Sequence, residues 1–304
     1  MSTLDDLVNV GGARVLEHAP LGTRTTYRVG GSARLLVTLS TLGDLDELGP
    51  LIRGAGLDVV MLGNGSNLLV EEGEHDVLVV HLTDELATLT WRDEENVVVV
   101  QAGAGLDLPI AARRLAKEGI VGFEWAVGVP GTFGGAVAMN AGGHGSDIAA
   151  SISAASIWHE SAVAWWSKEQ LGLSYRASAL GSGDVVLSVR LRLTRGDVTE
   201  AETRLRDIVR WRREHQPGGA NGGSVFRNPA NDHAARLIEA AGCRGLRLNS
   251  AVVSEKHANF IQVDPGGSAQ DVFGLLTVVR ERVLKDSGTT LISEHRFVGF
   301  GYTP

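Results

Sequence analysis

The 304-residue chain has a single cysteine, Cys243, so it can form no internal disulfide and offers no cysteine-based metal site. Positive charge is also in short supply. Lysine and arginine total 28 against 36 acidic residues, a formal net charge of −8, so a polyanion partner would need a strong local basic face. The one basic cluster, Arg204, Arg206, Arg210, Arg212 and Arg213, shares a helix-like run with Glu200, Glu202, Asp207 and Glu214. It reads as a solvated helix face, and no nucleic-acid partner is expected. The nine histidines form neither an HExxH motif nor a close pair, so no metal is expected. His257 and His295 read as hydrogen-bonded structural residues. No serine has glycine on both sides at two-residue spacing, which excludes a nucleophile elbow.

Long apolar runs are missing too. The start, MSTLDDLVNVGGARVLE, is acidic and has no uninterrupted apolar core, so no signal peptide is expected and the protein is placed in the cytoplasm. The longest stretch free of Asp, Glu, Lys and Arg, Trp125 to Ser146, holds seven glycines, Pro130 and Asn140. In lipid its backbone could not stay paired, so membrane insertion is not expected and the stretch reads as a buried or ligand-lining loop.

What the chain does have is glycine, 39 residues without a three-residue period, which excludes collagen. A hydrophobic fraction of 43% with 21% charged residues is too apolar for a disordered chain. Its length corresponds to about two domains.

The pattern opens as β–α–β, with a strand at Arg34–Leu39, a helix at Asp44–Ala55 and a strand at Asp58–Leu62. Strands at Val77–Leu82, Thr88–Trp91 and Val97–Ala102 follow with connections short enough for antiparallel pairing. Leu108, Ala111, Ala112 and Leu115 make an apolar stripe on a helix at Leu106–Glu118. After the glycine-dense stretch come strands at Ile152–Trp158 and Val185–Leu193, then a helix at Val198–Glu214. A turn-rich loop (Gln216–Asn231), a helix at Ala234–Ala241, a strand at Asn259–Val263, a helix at Ala269–Lys285 and a strand at Phe297–Gly301 complete the chain. The composition shift near residue 196 marks the expected boundary, and the class is α+β with two main lobes.

Six segments could carry chemistry. Gly103–Leu108 (GAGLDL) lies between strand and helix like a dinucleotide fingerprint, but Leu108 fills a position needing Gly or Ala, so a strand-end turn is the better reading. The turn LGNGSNLLV, with Gly63, Asn64, Gly65, Ser66 and Asn67, could aim successive N–H groups at a phosphate or be an ordinary β-turn. In VGVPGTFGGAVAMNAGG, Val127–Gly143, the glycines let backbone approach a large ligand closely, with Thr132 and Asn140 as polar handles; a tightly packed core loop is an equal alternative. For GGSVFRNP, Gly222–Pro229, a ligand loop and a helix-capping turn compete on equal terms. YRAS (Tyr175–Ser178) and SEHRF (Ser293–Phe297) read in isolation as sites of surface salt bridges.

Taken in order, TTYRVGG, LGNGSNLL, AGAG, GFEWAVGVPGTFGGAVAMNAGG, SYRAS, QPGGANGGSVFRNP, AVVSEKHANF and EHRFVG resemble the UDP-N-acetylenolpyruvoylglucosamine reductase family, over about nine-tenths of the chain. The resemblance implies a two-lobed FAD-binding region of vanillyl-alcohol-oxidase/PCMH type, residues 1–196, split near 70–75. It implies a C-terminal α+β domain for the UDP-sugar, residues 197–304. Noncovalent FAD would be held by Tyr27, Arg28, Gly63, Asn64, Gly65, Ser66, Asn67, Gly128, Pro130, Thr132, Gly134, Gly135 and Asn140. NADPH would be the co-substrate and UDP-N-acetylglucosamine enolpyruvate the substrate, reduced to UDP-N-acetylmuramate for peptidoglycan by a cytoplasmic enzyme, with a monomer as the working expectation.

Three residues match the family's catalytic positions. Hydride from reduced FAD to the enol ether leaves enolate-like charge, which Arg176 and a protonated Glu294 would stabilise while Ser224 supplies the proton. Asn228 and Arg244 are the substrate-side candidates. Two positions depart from the pattern: Arg227 stands where lysine is usual, and Asn249–Ser250–Ala251 where Gly-Gly-Ala is common. The short stretch between Gly145 and Tyr175 favours the family's shorter branch, without an inserted substrate-covering loop; Trp158, Trp165 and Trp166 are candidates to substitute for it. The rival readings are an FAD oxidase or dehydrogenase for another substrate, which would lack the Arg176–Ser224–Glu294 set, and an inactive nucleotide-sugar-binding protein.

Overall fold

The computed structural model describes residues 3–181 and 183–301. The chain divides into two compact units. The first comprises residues 1–17, 34–64 and 76–211; the second comprises 18–33, 65–75 and 212–304.

The first unit contains two sheets over one apolar core. One sheet has the strand order Val15–Ala19, Ser32–Leu39, Glu74–Leu82, Asp58–Leu62, the last two parallel. The expected β–α–β start is present, its helix Leu42–Gly54 begun by a capping box in which Thr41 and Asp44 satisfy each other's backbone N–H groups. The expectation of three consecutive antiparallel strands holds only for the last two. Leu89–Glu94 pairs antiparallel with Val97–Gly103, whereas Glu74–Leu82 turns into the other sheet beside Asp58–Leu62. The short helical turn Asp84–Ala87 redirects the chain between the sheets.

The second sheet runs Ala162–Ser167, Ile152–His159, Val185–Arg195, Val97–Gly103, Leu89–Glu94. Its edge strand Ala162–Ser167 was not expected: its side chains are largely exposed, so the apolar-in, polar-out alternation that betrays a strand is missing. The glycine-dense stretch is no continuous loop. It holds a helix, Phe133–Met139, started by the Thr132 side chain and stopped at Asn140, whose φ of +39° suits a left-handed cap. On the long helix Val198–His215 only Ala201 and Leu205 are buried, and its arginines pair with Glu200, Glu202 and Asp207.

The second unit packs the helices Ala234–Ala240 and Ala269–Ser287 on a small antiparallel sheet, Ala220–Asn221, Ile261–Val263, Ala251–Val253, Arg247–Leu248. The carboxylate of Glu72 accepts hydrogen bonds at the start of the longer helix, from Ser268 Oγ and the N–H groups of Ala269 and Gln270. The final strand is Arg296–Val298, shorter and earlier than expected, because it ends where parallel pairing with Leu68–Val70 ends. Asn249 stands in for a turn glycine at φ +46°, a left-handed conformation asparagine tolerates. Asp271 fixes the turn, accepting from Asn249 Nδ2 at 2.9 Å and from the Ser250 N–H at 3.1 Å.

Candidate active site

In the first unit, the strand-end turn after Val97–Gly103 docks directly on the glycine-dense stretch. Gly134 N donates to Ala104 O (2.8 Å), Phe133 N to Leu106 O (3.0 Å) and Leu108 N to Gly131 O (2.9 Å). The GAGLDL segment is therefore a strand-end turn, with Asp107 as the N-cap of helix Leu108–Lys117. Asp107 also accepts from Asn64 Nδ2 at 2.6 Å, which ties the GNGSN turn to this platform. Gly63 lies so close to Thr132 that a Cβ there would sit 2.6 Å from Thr132 Oγ1. Gly63, Asn64, Thr132, Gly134 and Gly135 thus form one local cluster. Thr132 is buried and caps the helix toward Gly135 N. Gly128 is pinned instead by the His144 ring, 2.6 Å from where its Cβ would lie, and Pro130 is exposed.

Asn140 is a buried hub. Its Oδ1 accepts from Ala149 N (3.2 Å), and its Nδ2 donates to Asp147 Oδ2 (3.2 Å) and to Ser174 O (3.0 Å). The last contact anchors the turn that presents Arg176, in which Ser174 and Ala177 exchange backbone hydrogen bonds of 3.0 and 3.1 Å. Arg176 has φ +56°, a conformation that costs a non-glycine residue of order 1–3 kcal/mol and tends to mark functional positions. Its guanidinium donates to the carbonyls of Asn140 and Gly142, each at 3.3 Å.

Of the three tryptophans, Trp158 is buried with the Arg53 guanidinium 4.1 Å over its ring, so it covers nothing. Trp166 packs edge-on against His159, and Trp165 lies exposed with Arg190 stacked at 4.2 Å.

In the second unit, Gly65, with φ +61°, closes on the TTYRVGG segment: Thr26 N donates to Gly65 O, and a Cβ on Gly65 would stand 2.6 Å from Thr25 Cα. Arg28 is exposed and, like Arg176, left-handed, at φ +59°. Tyr27 is completely buried.

Ser224 and Glu294 lie on two segments that pair antiparallel about the Phe226–Ser293 bridge. Glu294 N donates to Val225 O (2.8 Å) and Arg227 N to Ile292 O (2.9 Å). Asn259 clamps the first segment from behind, accepting from Phe226 N (3.0 Å) through Oδ1 and donating to Phe226 O (2.8 Å) through Nδ2. The Asn259 backbone O accepts from Val225 N at 2.9 Å. Arg227, at the position where lysine was the usual pattern, has a buried Nε without a hydrogen-bond partner.

Asn228 Oδ1 accepts from the N–H of Ala234, the first residue of helix Ala234–Ala240, at 3.0 Å, whereas the N-cap position itself is His233. Arg244 is exposed and ion-paired with Glu239. Among the described residues there is no group of acidic, histidine or cysteine side chains fit to hold a metal, and no helix is long and apolar enough to cross a membrane. Sequence reasoning missed Asp107 and Asn259, whose contacts join segments distant in the chain and leave no local signature. His295 does have the hydrogen bonds expected of it, at both ring nitrogens.

A glycine-rich, hydroxyl-bearing platform at a strand–helix junction, joined in one chain to a separate α+β unit, is the build of a two-part dinucleotide-cofactor protein. A family model described as FAD binding domain matches residues 33–159, and one described as UDP-N-acetylenolpyruvoylglucosamine reductase, C-terminal domain, matches residues 215–298. The UDP-N-acetylenolpyruvoylglucosamine reductase of Myxococcus xanthus is 38% identical over 96% of this chain and 94% of its own length. That of Rubrobacter xylanophilus is 38% identical over 92% of this chain and 94% of its own. The crystal structure of the Thermus caldophilus reductase, MurB, superposes with a TM-score of 0.79 at 34% identity, covering 92% of this chain and 97% of that one. The chain belongs to the UDP-N-acetylenolpyruvoylglucosamine reductase (MurB) family.

Proposed function

We propose that the protein is an NADPH-dependent FAD enzyme that reduces the enolpyruvyl ether of UDP-N-acetylglucosamine to UDP-N-acetylmuramate, in the cytoplasm. Family membership over almost the whole chain, with competent residues at all three catalytic positions, carries this reading. Residues 1–196, in two parts divided near 70–75, hold the cofactor, and 197–304 hold the UDP-sugar.

The donor set fits FAD. The Gly63–Ser66 turn is rich in backbone N–H groups, contains a left-handed glycine and lies beside the Thr132 hydroxyl, a donor-rich setting suited to a pyrophosphate, with the Asn64 amide held at its edge by the Asp107 carboxylate. Arg28 adds positive charge, while Gly128, Pro130, Gly134, Gly135 and Asn140 shape the platform for the flat ring system. When bound, FAD supplies the two-electron chemistry, receiving electrons from NADPH and passing hydride to the substrate.

The chain's own residues manage the charge and the proton. Reduction at the β-carbon of the enol ether leaves negative charge on the α-carbon and its carboxylate. Arg176, its guanidinium always charged and forked, neutralises that carboxylate. Glu294, protonated in a closed site, donates a hydrogen bond to the same charge, and the Ser224 hydroxyl gives its proton to the α-carbon. Asn228 and Arg244 complete the substrate side.

The Ser224→Ala variant tests this assignment. Bleaching of the flavin by NADPH should stay near wild type, and reoxidation by the enolpyruvyl sugar should slow by about 10²- to 10⁴-fold. Equal loss of both half-reactions would make Ser224 structural and remove the proposed acid.

A further inference from the structure

A largely buried polar cluster in the second unit touches the segments that carry Ser224 and Glu294. Tyr27 and His295 are buried, and their rings meet edge to face at a centroid distance of 5.6 Å. The Tyr27 hydroxyl is 2.9 Å from His295 Nε2, and His295 Nδ1 is 3.2 Å from Asn67 Oδ1. Asn67 Nδ2 donates to the backbone carbonyl of Glu294 at 2.8 Å.

Chemistry fixes the direction of every bond in this series. The Glu294 carbonyl can only accept, so the Asn67 amide must present Nδ2 to it and Oδ1 to His295. An amide oxygen also only accepts, so His295 must carry its proton on Nδ1. Burial pushes the His295 pKa down to about 4, so the ring is neutral and Nε2 is an acceptor. Tyr27 must therefore donate to it. One polarised series runs from Tyr27 to the Glu294 carbonyl, with no choice of orientation along the way, and Gly222, two residues before Ser224, packs against its Tyr27 end. Gly222 is pressed against both rings: a Cβ there would lie 2.6 Å from Tyr27 Cε2 and 2.8 Å from His295 Cε1.

We propose that Tyr27, His295 and Asn67 are positioning residues that lock the Ser224 loop and the Glu294 backbone into the register that proton delivery needs. The proposal rests on the reductase reading above. Tyr27 and Asn67, expected from the family resemblance to serve the cofactor, act on this view through Glu294 and the Ser224 loop.

Two measurements test it. Nitrogen-15 NMR of histidine-labelled protein should show His295 neutral with the proton on Nδ1 near neutral pH; a proton on Nε2, or a charged ring, would overturn the bond directions. Rapid-mixing kinetics then separate positioning from stability. In Tyr27→Phe, reoxidation of NADPH-bleached flavin by the enolpyruvyl sugar should slow at least about tenfold, with bleaching changed less than about threefold. In the double variant Tyr27→Phe/His295→Leu the buried Tyr27–His295 bond is removed whole, and Oδ1 of the half-buried Asn67 is the one atom that loses a partner. Its melting temperature should rise above that of Tyr27→Phe while reoxidation stays at least about tenfold slow. A rate that recovers with the melting temperature would make the pair structural only. Wild-type flavin that ignores the sugar would instead sink the reductase reading, and this role with it. Normal wild-type turnover with an unimpaired Tyr27→Phe would sink the positioning role alone.

Discussion

Acid should unfold this protein partly through one buried imidazole. Desolvation lowers the His295 pKa from its ordinary 6.5 to about 4 in the folded chain, whereas an unfolded chain titrates it normally. The sign follows from proton counting. Above pH 6.5 neither state binds the proton, and the folded state keeps its full advantage. As the pH falls below 6.5 the unfolded state takes up a proton that the folded state refuses, so stability drops, and the loss levels off only below about pH 4. The gap between 6.5 and about 4, at roughly 1.4 kcal/mol per pH unit, is about 3 kcal/mol, a large part of a typical folding free energy. Urea unfolding at a series of pH values, in wild type and in Tyr27→Phe/His295→Leu, isolates this contribution, because the Tyr27 phenol stays protonated over this range and every remaining titrating group is common to both proteins. The wild type should lose about 3 kcal/mol more than the double variant between about pH 7 and pH 4. Parallel curves would refute the reasoning, since they would mean that His295 is either hydrated or charged in the fold.

Two further substitutions probe the supports of the site. Asn259→Ala strips the Phe226 N–H and C=O of their side-chain partner and should lower the urea-unfolding free energy by roughly 2–5 kcal/mol; a loss below about 1 kcal/mol would show that other groups or water take over. Gly63→Ala places a methyl 2.6 Å from the buried Thr132 Oγ1 and should force the GNGSN turn away, lowering FAD affinity about tenfold in flavin titrations. An unchanged affinity would remove Gly63 from the cofactor cluster.

The parts of the fold legible from sequence are those where local pattern and burial agree. The Leu108, Ala111, Ala112, Leu115 stripe became the buried face of helix Leu108–Lys117, and the apolar run from Val185 became the long strand that pairs with Ile152–His159 and Val97–Gly103. Illegible parts depend on partners far along the chain. Helix Phe133–Met139 contains two glycines that argue against it locally, and it exists because Thr132 and Asn140 cap it and because Ala104 and Leu106 receive its first N–H groups. Residues 18–33 and 65–75 join the second unit through pairings such as Gly31 N with Glu71 O and Arg296 N with Asn67 O, which no window of sequence displays. The site showed the same division. The motifs pointed to Arg176, Ser224 and Glu294, but the clamp of Asn259 on Phe226 and the series from Tyr27 to Glu294 appear only when five segments are folded together.

The central claim is that this chain reduces an enolpyruvyl UDP-sugar through FAD, and the two half-reactions test it most directly. Purified protein carrying flavin is bleached with one equivalent of NADPH without oxygen, then mixed with UDP-N-acetylglucosamine enolpyruvate while the flavin absorbance is followed. The account predicts rapid return of the oxidised flavin spectrum with an equal amount of UDP-N-acetylmuramate formed. Flavin that NADPH bleaches but the enolpyruvyl sugar leaves reduced would contradict it.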